Sequence, residues 1–295
     1  VPAPLLIADV PWLLYRSFFG LPKSIRGAGG RPVNALLGTV NALLAVIEAH
    51  PPRAVVACIG AEQARYRVEL YPPYHAHRDP MPDELAEQWP KAPELLASLG
   101  WTVAYAGELE ADDAMGAYAS VEQQAGGVAQ LLTADRDLHQ AVSERASVVE
   151  LKGKDGIALV GPQQVRERVG VPPELVPDLI ALRGDPSDGL PGARGVGAKT
   201  AASLLKSYGS LEGVLAAAAR DDAGISAKIA TTLRESAEQL RDFKRIATLV
   251  AIDVQRPADR ETDFADGAAA AEELGMTRLA ERLGELAASA GGATA

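Results

Sequence analysis

The sequence predicts an α/β protein, a mainly parallel central sheet with helices on both faces, followed by a smaller helical domain. Two observations carry this. In the first half, short uncharged apolar runs alternate with helical periodicity, the pattern of parallel strands buried on both faces. Beyond Pro162 the strand signal largely disappears, and helical patterns follow one another. With 295 residues, 47% of them apolar and 23% charged, the chain suits two globular domains at a typical ~150 residues each. We place them at 1–170 and 171–295.

Leu5 to Ala8 reads as the first strand, followed by a loop and then an amphipathic helix from Asn34 to Ala49. Ala54 to Ile59 is the second strand. A helical pattern from Asp83 to Leu99, interrupted by Pro90 and Pro93, leads to the third, Thr102 to Ala106. A helix over Asp112 to Gln124 precedes the fourth, Gln130 to Thr133. Ser147 to Leu151 and Ile157 to Val160, joined by a Gly-containing turn at 152–156, read as an added hairpin. In the second half, one helix starts at Pro172-Pro173 and another follows Gly197. Others cover Leu211 to Ala219, Ser226 to Ala247 and Ala268 to Ala288, ahead of a frayed Ala/Gly-rich tail at 287–295.

The single cysteine, Cys58, excludes a disulfide framework or a cysteine-based zinc site and suits a reducing cytoplasm. No apolar run reaches the ~20 residues of a membrane span, so no membrane partner is expected. A formal charge of −10 argues at first sight against nucleic acid. The distribution argues the other way. Val10 to Ile47 contains Arg16, Lys23, Arg26 and Arg31 with no acidic residue, and Gly189 to Leu211 contains Arg194, Lys199 and Lys206, again with none.

The carboxylates fall at the strand ends. Asp9 follows the first strand; Glu110, Asp112 and Asp113 follow the third, at a helix start; Asp135 and Asp137 follow the fourth. In an open α/β sheet, ligands bind beyond the carboxyl ends of the strands, so all six should converge there. Asp185 and Asp188 lie in a Gly/Pro-rich loop before the helical domain. Singly, these groups have structural readings: helix-dipole complements at 110–113, a turn at 185–189, a cap at Asp137. Together they form the oxygen-rich set that Mg²⁺ or Mn²⁺ requires. The segment Leu190 to Thr200, with Gly195-Val196-Gly197, is not a nucleotide P-loop, because no strand precedes it and the Lys is misplaced. It reads either as a plain helix–helix turn or as a hairpin whose backbone approaches a DNA phosphate. Lys199 and Lys206 favour the phosphate.

These residues resemble, in order and over nearly the whole chain, the bacterial 5′-nuclease family of flap endonucleases and the 5′-exonuclease domain of DNA polymerase I. Asp9 with Tyr15-Arg16 looks like the opening segment, with Val10 replacing the usual Gly. Glu110-Ala111-Asp112-Asp113 and Thr133-Ala134-Asp135-Arg136-Asp137-Leu138 match two signatures. Asp185-Pro186-Ser187-Asp188 and the hairpin are similar to the last carboxylate pair and the helix-three-turn-helix DNA-binding element, placed at 184–206. The resemblance implies a stand-alone, cytoplasmic, monomeric enzyme with a PIN-like core that hydrolyses DNA phosphodiesters at 5′ ends, flaps and branched duplexes. It implies two or more Mg²⁺ or Mn²⁺ ions, in a two-metal site with ions ~3.5–4 Å apart, on Asp9, Glu110, Asp112, Asp113, Asp135, Asp137, Asp185 and Asp188. Duplex contacts are expected from Arg16, Lys23, Arg26, Arg194, Gly195, Val196, Gly197, Lys199 and Thr200, with K⁺ a candidate ion at Gly195–Gly197.

The resemblance also implies an arch over 67–89 that admits a single strand, with Arg67, His75 and Arg78 stabilising phosphate charge. Two departures fall here. His75 stands where the family has a catalytic Lys, and Gly60 where it has an acidic residue, with Glu62 nearby but out of register. They leave open a weakened homologue that mainly binds branched DNA, and a related metal-dependent ribonuclease is a further alternative.

Overall fold

The structure, a computed structural model, describes residues 2–153 and 156–292. Its centre is a six-stranded sheet of β1 (Leu5–Asp9), β2 (Ala54–Ile59), β3 (Thr102–Tyr105), β4 (Ala129–Leu132), β5 (Ala146–Leu151) and β6 (Ile157–Val160). The order is β3-β2-β1-β4-β5-β6, parallel except for β6. The expected hairpin is present but is no separate addition: β5 also pairs in parallel with β4 and extends the main sheet. Among its connecting residues, 154 and 155 lie outside those described.

The loop expected after the first strand is a helix, α1 (Val10–Gly20), starting without a linker. Asp9 caps it, and Val10, Leu13, Leu14 and Phe18 are buried along one face. Next come α2 (Asn34–Ala49), α3 (Arg65–Leu70) and α4 (Asp83–Ala86). The Asp83–Leu99 pattern is not one helix, because Pro90 and Pro93 reset it through a 3₁₀ turn, Trp89–Lys91, into α5 (Ala92–Ser98). Then follow α6 (Ala111–Gln124), α7 (Pro162–Val169) and α8 (Val176–Arg183), the last entered through a 3₁₀ turn, Pro173–Leu175. After these come α9 (Ala198–Tyr208), α10 (Leu211–Ala219), α11 (Ala227–Glu235), α12 (Ala237–Ala247), α13 (Phe264–Glu273) and α14 (Thr277–Gly292). The Ser226–Ala247 and Ala268–Ala288 patterns are thus each split in two, at Ser236 and at Leu274–Met276. Helix α14 continues into the stretch expected to fray; residues 293–295 lie outside those described.

Strand residues alternate between two cores. Leu5, Ile7, Val56, Leu131 and Val148 face one that includes buried residues of α6, α8 and the helices α9–α12. Leu6, Ala8, Val55, Leu132 and Val149 face the other, with α1, α2, α5, α13 and α14. This corrects the expected 171–295 unit. After α12 the chain runs along 248–263 without regular structure and returns to the α/β half, where Ala271, Leu279 and Leu283 are buried with α1, α2 and α5. The crossing is pinned by fully buried Glu122, which pairs with Arg53 and with Arg256 (2.9 Å). No helix among the described residues is long and apolar enough to cross a membrane.

Candidate active site

Beside β1, the strand order reverses: β2 and β3 lie to one side, β4 and β5 to the other. The crevice at the β1/β4 carboxyl ends is where such a sheet binds its ligand. Asp9 closes β1, its Oδ1 accepting from the Trp12 N–H (2.9 Å) and its Oδ2 from the Thr133 hydroxyl (2.8 Å). Thr133 Oγ1 accepts from the Asp135 N–H (3.0 Å), and Asp135 Oδ1 from the Asp137 N–H (2.8 Å). This ladder fixes the carboxylates of Asp9 and Asp135 and the backbone of Asp137 at the crevice. Asp112, in the first turn of α6, faces the same place, and its charge interacts with Asp135, Asp9, Glu110 and Asp137.

Among the described residues, none forms an ion pair with Asp9, Asp112, Asp135 or Asp137. Burial, then repulsion from Asp135, Asp9 and Glu110, pushes the Asp112 carboxyl well above its ordinary range. Asp137 is pushed the same way by burial and by Asp135, Asp188 and Asp185, with Arg183 opposing. Burial also raises Asp9 against its two hydrogen bonds. Asp135, although exposed as a residue, has its carboxyl hemmed in and held up to about 7, with Asp188, Asp9 and Asp185 adding repulsion. Even the buried thiol of Cys58, beside Asp9 across the β1–β2 ladder, is pushed up by burial and by Asp9 and Asp112. Among the described residues, no three His, Cys, Asp or Glu side chains form a ready-made grip on one ion. Water would therefore complete any ion's shell, as Mg²⁺ prefers.

Two residues expected in this site are turned away from it. Asp113 is fully buried and pairs with Arg67 Nη2 (2.8 Å), accepts from the Val250 N–H (2.8 Å) and takes the Glu110 N–H (3.1 Å) in a capping box. Both of its oxygens are thereby engaged within the fold. Arg67, 3% exposed, also gives its Nε to the Ile246 carbonyl (3.0 Å) and lies 3.1 Å from Glu110 Oε2. It joins α3, α6 and the end of α12, and faces no substrate. Glu110 further accepts from the Ala64 N–H (2.8 Å) and from the Tyr74 hydroxyl (3.0 Å). These groups buttress the α6 start.

The segment expected to form the base of an arch is pinned rather than free. His75 is 2% exposed, stacks on Tyr74 at 3.8 Å, and its Nε2 lies 2.9 Å from Asp188 Oδ1. Arg78 reaches the same oxygen at 3.4 Å from a half-exposed position. Asp185 is held by Ser187 and by Arg183 (3.4 Å). Tyr74 and Thr133 are the site residues that sequence reasoning passed over. Thr133 lies in the quoted signature, and Tyr74 opens the Tyr74-His75-Ala76-His77-Arg78 stretch that resembles the family's Tyr-Lys-Ala-x-Arg, although neither is given a role there.

Gly60 has a packing reason. A Cβ there would sit 2.3 Å from Ala111 N and 2.4 Å from Glu110 C, so β2 touches the α6 start backbone to backbone. Glu62 is exposed and sits near Tyr15. Among the expected DNA contacts, Arg16, Lys23, Arg194 and Lys199 are exposed, while Arg26 pairs with Glu84 (2.8 Å). The Val196 side chain is buried, which leaves only its backbone to the surface. Gly195 and Gly197 have open space where a Cβ would be, and α9 begins at Gly197 with no side-chain cap. Thr200 is half-buried in its first turn.

The family models for the "5′-3′ exonuclease, N-terminal resolvase-like domain" and the "5′-3′ exonuclease, C-terminal SAM fold" match residues 4–170 and 171–265. The chain belongs to the 5′-3′ exonuclease family. It is 35% identical to a 5′-3′ exonuclease of Mycobacterium tuberculosis, over 88% of each chain. It is 35% identical to the thermostable DNA polymerase I of Thermus thermophilus, over 97% of this chain and 34% of that one. Like its family, it is a hydrolytic nuclease of the 5′-3′ exonuclease and flap endonuclease type. The fold matches a zinc-bound T5 5′-exonuclease (TM-score 0.65, 18% identity, 96% of this chain and 99% of that chain). It also matches the catalytic core of Rad2 in complex with DNA substrate (TM-score 0.65, 12% identity, 97% and 92%).

Proposed function

We propose that this nuclease cuts DNA at 5′ ends and flaps with a pair of divalent cations, Mg²⁺ or Mn²⁺, held at the β1/β4 crevice. The observation that carries this is the donor set: Asp9, Asp112, Asp135 and Asp137 are all raised by burial, and Asp112, Asp135 and Asp137 also by neighbouring carboxylates, with Asp185 and Asp188 facing them from the loop after α8. Four acidic groups in one crevice repel each other until cations neutralise them. The T5 relative's bound zinc and the Rad2 relative's DNA agree with this reading. A divalent pair supplies the charge that lowers the pKa of an attacking water and offsets charge on the leaving oxygen.

The rest falls to the chain's own residues. Thr133 and the Trp12 N–H hold Asp9 in one orientation. Glu110, Asp113 and Arg67 act as positioning residues that fix the α6 start and therefore Asp112. Arg78, at the rim, meets the phosphate. The uncapped start of α9 presents backbone N–H groups to a duplex phosphate, beside Lys199 and Arg194, with K⁺ the candidate ion on the carbonyls of Gly195–Gly197. Contacts of this kind read shape and not base identity.

The test is cleavage of a 5′-labelled DNA flap in Mg²⁺ and in Mn²⁺, with an all-RNA flap alongside. Asp112→Asn and Asp135→Asn should drop to background while still binding the DNA flap. Wild-type turnover in either variant, or preference for the RNA flap, would overturn the proposal.

A further inference from the structure

We propose that His75 is a positioning residue: it locks the base of the arch onto the Asp185–Asp188 loop and orients Asp188 toward the carboxylate cluster. The proposal rests on the metal-dependent reading above and adds to it how the arch base and Asp188 are held together.

Three contacts join His75 to Asp188 and its surroundings. Its backbone N–H donates to the Asp188 carbonyl (3.1 Å), and its Nε2 lies 2.9 Å from Asp188 Oδ1. Its ring lies against Tyr74, with centroids 3.8 Å apart and planes within 22°. Tyr74 in turn donates to Glu110, the residue that caps α6. One continuous bridge, Glu110–Tyr74–His75–Asp188, therefore runs from the helix carrying Asp112 to the loop that opens the helical domain. The backbone of His75 is bent to suit, with φ +55°, an uncommon conformation for a non-glycine residue that persists where its surroundings hold it. The Nδ1 atom is buried without a partner. Nε2 is therefore the ring atom committed to the contact, donating its N–H to the carboxylate.

The consequence for Asp188 follows from its two oxygens. Oδ1 is occupied by His75 and approached by Arg78. That leaves Oδ2 for the crevice, where the Asp188 charge is felt by Asp135 and Asp137. Without the His75 contact, the exposed Arg78 is the remaining partner of Asp188. The carboxylate is then free to swing with the arch.

The experiment compares His75→Gln with His75→Leu. A Gln amide places its nitrogen the same number of bonds from Cβ as Nε2 and keeps the donor; Leu fills space without one. Both bear the same backbone cost at φ +55°. Two readouts need no turnover: hydrogen exchange of amides 74–78 in the metal-free protein, and Mn²⁺ binding by calorimetry without DNA. A lost hydrogen bond to a charged group corresponds to about tenfold or more in an equilibrium constant. His75→Leu should speed exchange at 74–78 and weaken Mn²⁺ binding by about that factor, and His75→Gln should restore both to within about threefold. Wild-type exchange and Mn²⁺ binding in His75→Leu would overturn the proposal, as would equal damage in the two variants, which would make ring packing and not the hydrogen bond responsible. Failure of the underlying reading looks different: the wild-type protein itself would show no specific Mn²⁺ binding and no metal-dependent cutting.

Discussion

Replacing Gly60 by Asp should damage the enzyme, although the family resemblance leads one to expect an acidic residue there. Any Cβ at residue 60 would lie 2.3 Å from Ala111 N, 2.4 Å from Glu110 C and 2.7 Å from Leu109 O. All three are backbone atoms at the start of α6, so no flexible side chain can step aside. Relief to an ordinary contact needs a displacement of about 1 Å, and the element displaced is the helix turn carrying Asp112. Overpacking of this kind costs about 1–3 kcal/mol, and each kcal/mol lowers Tm by about 2–4 °C for a chain of some 150–250 residues or more. The decisive comparison is Gly60→Ala, which adds the Cβ without a carboxylate. Both variants should melt several degrees below wild type and need more Mn²⁺ for half-maximal flap cleavage, to a similar extent. A Gly60→Asp protein that melts like wild type and needs less metal than Gly60→Ala would refute the steric argument and show that a further carboxylate fits.

Removing one partner of the buried Arg67–Asp113 pair, by Arg67→Met or Asp113→Asn, should cost about 3–5 kcal/mol in denaturant unfolding. Asp113→Asn that still folds should keep more of its calorimetric Mn²⁺ affinity than Asp112→Asn does, because Asp113 reaches the site only through the placement of Asp112. The crowded carboxylates also set a pH dependence. Asp135 is held up to about 7 and Asp9, Asp112 and Asp137 are raised, so between the ordinary 3.8 and those values the folded chain binds more protons than the unfolded one. Stability then falls as pH rises through that window. Thermal melts should show the metal-free protein more stable near about pH 5.5 than near about pH 7.5, with Mg²⁺ raising Tm more at the higher pH. Lys199→Ala should weaken duplex binding alike across sequences and reduce the slope of log K against log salt by about 0.9; an unchanged slope in salt titrations would remove Lys199 from the DNA path.

The sequence by itself determined the alternation of strands and helices, the parallel sheet and the carboxylates at successive strand ends, because these depend on local periodicity and on connections that run one way. The signal for α1 was equally local. Val10, Leu13, Leu14 and Phe18 keep helical spacing, but an immediate strand-to-helix junction at Asp9 leaves no turn residue to announce it. Tertiary structure alone decided which carboxylates face the crevice. Asp112 and Asp113 are neighbours in sequence, yet about 100° of rotation per helical residue sends one to the cluster and the other to Arg67 and Val250. It likewise decided that Gly60 is a backbone contact, that His75 grips Asp188, and that α13 and α14 return to the nuclease half. Each depends on residues tens to hundreds of positions apart meeting in the fold, and no window of sequence contains both partners.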